Sequence, residues 1–142
     1  MAVFVDGDVP CNVEGRRRVK SWLAALAKHH NRSLGDVSIV SCSDEELLTY
    51  NRQYLDHDTY TDIITFDHTE GKTLSGDLLI SFERVSENAE NHGVVFQEEL
   101  RRVMAHGVLH LAGFKDKTAE DATAMRQAED HALQMFHVEH TA

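Results

Sequence analysis

The sequence predicts an α+β domain, a small mixed sheet of about four strands packed with about five helices. Three observations predict it. Strand and helix patterns run in the order β-α-β-α-β-β-α-α-α, which lacks the strict βαβ alternation of a parallel α/β fold. Thr61–Phe66 is dense in β-branched residues, as a strand should be. Gln97–Ala112 repeats apolar positions at helical spacing and stops before Gly113. A length of 142 residues fits one domain, 1–142, at roughly 100–200 residues per domain. Such a chain can bury a core without disulfide or metal support.

Each element has a local reason. Ala2–Val5 reads as a short strand, and Pro10 falls in the loop after it. From Arg16 onward, Val19, Trp22, Leu23, Leu26 and Ala27 form one apolar stripe of a helix that Asn31 or Gly35 ends. Trp22 lies on that stripe and is expected in the core. Val37–Cys42 alternates as a strand does. Ser43–Glu46 is a capping box opening a helix over about 44–54. The strand Thr61–Phe66 turns at Gly71 into a second strand, Asp77–Ile80. Ser81 then caps a polar helix, Glu83–Asn91, which Gly93 stops. Thr118–Asp121 opens the last helix, expected to reach about 136.

The charge is uneven. Fourteen Lys and Arg against 24 Asp and Glu give a net −10, which argues against a surface that binds nucleic acid throughout. Yet no acid occurs between Glu14 and Asp36, and that window holds Arg16, Arg17, Arg18, Lys20, Lys28 and Arg32. The chain therefore reads as an acidic body with one basic helix, and RNA is expected to approach along Arg17, Lys20 and Lys28. No apolar run approaches the ~18 residues of a membrane span. The first residues lack the basic start of a signal peptide. Cys11 and Cys42 do not make a disulfide framework, so a cytoplasmic protein is expected.

The stretch carrying chemistry is His106–Asp116, HGVLHLAGFKD. His106 and His110 are four apart on a helix, so both imidazoles share a face. That spacing suits one Zn²⁺, with Zn–N about 2.0–2.1 Å. Gly113 can reverse the chain and return Asp116 over the helix end as a third ligand. The metal site is thus expected on a central helix and the loop after it. Three ligands leave a fourth position open for water, the mark of a catalytic zinc that acidifies that water. The spacing is shared with metzincin proteases, but Gly107 stands where their general-base glutamate belongs. A zincin-like peptidase is disfavoured accordingly. Gly107 is expected to leave room near the metal for substrate. The other histidines, His29, His30, His68, His92, His131, His137 and His140, lack ligand spacing and default to the surface.

Three blocks of residues together carry a family resemblance. They are His106-Gly107, Leu109-His110-Leu111 and Gly113-Phe114; then Asn51, Tyr54, Asp58 and Thr61–Phe66; then Gly76–Ser81. In these the chain resembles the YbeY-type rRNA maturation factors, metal-dependent hydrolases described as single-strand-specific endoribonucleases. The resemblance implies an α+β fold, one zinc per chain on His106, His110 and Asp116, and single-stranded ribosomal RNA and the small ribosomal subunit as partners. It further implies a part in small-subunit rRNA 3′-end processing and ribosome quality control. It places the strand bearing Thr61, Asp62 and Thr65 against the metal cleft as substrate-facing residues. Two departures stand out. Asp116 occupies the place of the family's third histidine, and a harder oxygen donor alters metal preference. Leu55 occupies the place of an arginine suited to gripping phosphate; Arg52 is the nearby candidate to substitute. A non-catalytic, metal-binding ribosome assembly factor is the alternative these departures leave open.

Overall fold

The computed structural model describes residues 1–55 and 60–141, with side chains through Val138. It contains β1 (Ala2–Asp6), α1 (Arg16–His29), β2 (Ser33–Cys42), α2 (Asp44–Leu55) and β3 (Ile63–Asp67). These are followed by β4 (Thr73–Ser81), α3 (Phe82–His92), α4 (Phe96–Leu111) and α5 (Ala119–Thr141). The predicted α+β class holds, with four strands in the order β1-β2-β4-β3. β1 and β4 run parallel to β2, while β3 runs antiparallel to β4.

Alternation along the strands divides the core. Val37 and Ile39 of β2 and Leu78 and Ile80 of β4 face one side, where α1, α3, α4 and α5 pack. Cys42, Ile64 and Leu79 face the other, where α2 lays Leu47. Ile39 stands opposite Leu78 in register, so the large core is continuous across the two central strands. Each fully buried Leu or Ile there contributes roughly 1.5–3 kcal/mol. Trp22 lies in this core as expected, fully buried, with Nε1 donating to the Ala132 carbonyl of α5 at 2.7 Å.

The helix ends obey local chemistry. Ser81 accepts from the Arg84 amide, and Gly93 ends α3 in the left-handed region. Thr118 and Asp121 bond reciprocally at the start of α5. The Ser43 box is shared differently. Ser43 caps the Glu46 amide, but the Ser43 amide goes to Asp8, whose own amide goes to Glu46. A segment 35 residues upstream thereby closes the box. Asn31, at φ 61°, ends the α1 segment rather than Gly35, which lies inside β2. Helix α5 runs past 136 to Thr141.

Three imidazoles gather where α1 meets α5. His29 stacks on His131 at 4.6 Å, and His30 meets Phe114 edge-on at 5.2 Å. His30 is half-buried, its Nε2 lacking a hydrogen-bond partner, and so departs from the surface default. Burial, helped by His29 and His131, holds its pKa below the ordinary 6.5. The folded state therefore favours neutral His30. The stability this confers is present above about 6.5 and is lost as pH falls through the lower folded value. Relative to His30→Gln, the wild-type melting temperature is expected to drop on acidification below that point. Parallel melting curves for the two proteins would refute it.

Candidate active site

Glu99, Arg102 and His106 recur at helical spacing and share one face of α4. That face meets α5 and opens into a hollow of about 270 Å³. His106 Nδ1 lies 2.7 Å from Glu129 Oε2, and Arg102 holds the other oxygen of Glu129 at 3.0 Å. The second Arg102 nitrogen reaches Asp130 at 2.8 Å. Glu99 pairs with His92 of α3 at 3.0 Å. Asp62, just before β3, and Asp116 also line it. The hydrogen bond to Glu129 raises the pKa of His106 against the pull of burial. Burial pushes the Asp62 carboxyl up, opposed by the charge of His106.

The turn after α4 forms as its glycine requires. Gly113 has φ 107°, and Phe114 N returns to the Leu109 carbonyl at 3.0 Å. Arg32, beyond α1, braces this turn by donating to the Ala112 carbonyl at 3.2 Å. Asp116 is brought to the edge of the hollow that His106 lines. It also borders a second, more open hollow of about 490 Å³, into which His110 faces with Lys115 and Lys117.

The donor types suit zinc in their chemistry: two imidazoles one turn apart and a carboxylate that borders the hollow of each. One imidazole already gives its second nitrogen to a carboxylate, as ligating histidines do. Among the described residues, however, no three His, Cys, Asp or Glu side chains stand close enough together to enclose an ion. Asp116 is the element common to both hollows, and His110 lines only the second.

Of the substrate-facing candidates, Asp62 reaches the hollow. Thr61 turns its hydroxyl to the Ile63 carbonyl, and Thr65 pairs with Leu78 within the sheet; neither lines the hollow. Arg52 belongs to α2, which covers the opposite face of the sheet, so it does not border the hollow. Leu55 is exposed at the end of α2. His57 and Asp58 lie outside the described residues. Arg17 and Lys28 are exposed on α1, while Lys20 lies over Phe4, and none lines either hollow.

Gly107 requires a correction. It does not open space for substrate. A Cβ there would stand 2.8 Å from Leu78 Cδ1 and 3.0 Å from Ile63 Cδ1, so the glycine lets α4 press against the sheet. This close approach seats His106 beside Asp62.

Residues the spacing argument missed are Glu129, Arg102, Arg126, Glu99 and His92, all on the hollow. One signal was present for Glu129. It sits on the apolar stripe of Met125, Ala132, Leu133 and Phe136, where an acid is out of place unless partnered.

The chain matches the family model described as Endoribonuclease YbeY over residues 8–137. It is 46% identical to the Endoribonuclease YbeY of Christiangramia forsetii over 136 residues, 96% of this chain and 94% of that one. Against the protein of the same name from Bacteroides thetaiotaomicron it is 46% identical over 120 residues, covering 84% and 88%. The solution structure of TM1509 from Thermotoga maritima shares the fold, with TM-score 0.68 and 24% identity over 98% of this chain and 91% of that one.

Proposed function

Because this chain belongs to the YbeY endoribonuclease family, we propose that it is an endoribonuclease of ribosomal RNA maturation whose reaction takes place in the hollow between α4 and α5. One observation carries the placement: His106, Asp62 and Asp116 share that hollow with a cation, Arg126, that makes no ion pair among the described residues. Phosphodiester chemistry needs those parts, a site for charge stabilisation, a proton-holding group and a phosphate anchor.

The roles follow from position. Arg126, exposed on α5, is placed to grip a phosphate oxygen. Asp62, its carboxyl pushed up by burial, lies on the hollow as the candidate proton-transfer group. His106, His110 and Asp116 would hold one zinc ion. When bound, that ion supplies Lewis-acid stabilisation and a more acidic water.

The substrate proposed is single-stranded ribosomal RNA of the small subunit, met in the cytoplasm. Its backbone would continue over Lys115 and Lys117 to Arg32 and to Lys28 at the end of α1, with Lys20 and Arg17 further along. Binding should weaken as salt rises. Among the described residues, no helix is long and apolar enough to cross a membrane. The peptidase reading loses further ground, since Gly107 offers no general base and faces the sheet.

The test compares cleavage of one RNA sequence as single strand and as duplex. Cleavage of the single strand alone is expected. Arg126→Ser should lower kcat/KM about 10–100-fold, the worth of a charge-assisted hydrogen bond. Unchanged kcat/KM would remove Arg126 from the site. RNA binding without cleavage, with zinc supplied, would favour the non-catalytic assembly factor.

A further inference from the structure

We propose that Glu129 is a positioning residue that presets His106 as a metal ligand, accepting the Nδ1 hydrogen and leaving Nε2 as the ring's bare nitrogen. The inference rests on the metal reading of the hollow.

The geometry is specific. Glu129 is 8% exposed, and both its oxygens are engaged by α4, one by Arg102 at 3.0 Å and one by His106 at 2.7 Å. Arg102 and His106 lie one turn apart, so a single carboxylate spans the turn and cannot rotate without losing a partner. Arg102 is itself anchored by Asp130. Because the acceptor is a carboxylate paired with a guanidinium, the hydrogen belongs on Nδ1. His110, the other imidazole of the pair, has no such partner among the described residues.

The cost of the arrangement supports a functional reason. Glu129 interrupts the stripe by which α5 joins the core, and a buried ion pair is weak evidence of stability gain. An apolar residue would serve packing alone at least as well. What an apolar residue cannot do is select the imidazole tautomer. In metal sites, loss of such an outer carboxylate costs about 10–100-fold in affinity.

The experiment is a Zn²⁺ competition titration of the metal-free full chain against a chromophoric chelator, with Glu129→Ala and Glu129→Gln. Glu129→Ala should lose about 10–100-fold in affinity. Glu129→Gln should recover part of it, because its amide oxygen still accepts from Nδ1. A merely structural role would not produce that rescue at matched melting temperatures. Long-range ¹H–¹⁵N spectra of the metal-free wild type, at a pH where His106 is neutral, should show hydrogen on Nδ1 and a pyridine-like Nε2. That measurement decides the matter if the alanine variant fails to fold. Hydrogen on Nε2, or both variants binding zinc like wild type, would overturn the role of Glu129 while leaving the metal reading intact. A wild type that binds no zinc would overturn both.

Discussion

Replacing His106 with Ala, or adding a chelator to the wild type, is expected to reduce RNA cleavage by about 10³-fold or more. The magnitude follows from the several kcal/mol that a bound cation supplies to phosphoryl-oxygen charge, at 1.36 kcal/mol per tenfold. Of the three proposed ligands, His106 is the one whose loss should matter most. It lines the hollow with Asp62 and Asp116, and Glu129 restrains it at 2.7 Å. His110 faces the neighbouring hollow, and among the described residues no such carboxylate holds it. Metal analysis should find about one zinc per wild-type chain. It should find none in His106→Ala and a reduced content in His110→Ala. The melting temperature is the control, because His106→Ala still leaves Glu129 its bond to Arg102. Full cleavage by a folded His106→Ala protein, or undiminished cleavage in chelator, would sink the metal-dependent mechanism.

The local features around the candidate site could be read before the fold was known, and the division is physical. His106, His110, Gly113 and Asp116 lie within eleven residues, where helical period and a glycine turn fix relative positions locally. The caps at Ser81, Gly93 and Thr118 are equally local, each a side chain or a left-handed residue acting on its neighbours. What escaped depends on contacts distant in sequence. Glu129 reaches His106 across 23 residues, and no spacing rule joins them. Gly107 was misread for the same reason. Its neighbour across the sheet interface, Leu78, is invisible from the motif, so a packing glycine resembled an opening for substrate. The basic helix is a further case. Counting charge located α1, but several of its cations serve the fold. Arg16 donates to the Cys11 carbonyl and Arg18 to that of Phe136. Arg126, the cation lining the hollow that makes no ion pair among the described residues, lies in a stretch whose charge balance draws no notice.

Trp22→Ala is expected to cost about 3–5 kcal/mol in a denaturant titration, the range for emptying a buried aromatic site. Against a typical total of about 5–15 kcal/mol, that is a large share. Trp22 is fully buried, meets Phe136 edge-on at 5.4 Å, and donates Nε1 to Ala132 at 2.7 Å. It is thus a buried peg by which α1 holds α5. Ala132 lies three residues beyond Glu129 on the same helix, so the peg also sets the height of the carboxylate that restrains His106. The stability loss should therefore bring a loss of zinc affinity in the folded fraction. Trp22→Phe keeps most of the ring volume and forfeits the hydrogen bond, a change of about 1–3 kcal/mol. It should retain most of that affinity. If Trp22→Ala weakened stability but left zinc affinity untouched, α5 would hold its register without α1. The position of Glu129 would then be set by Arg102 and His106 alone.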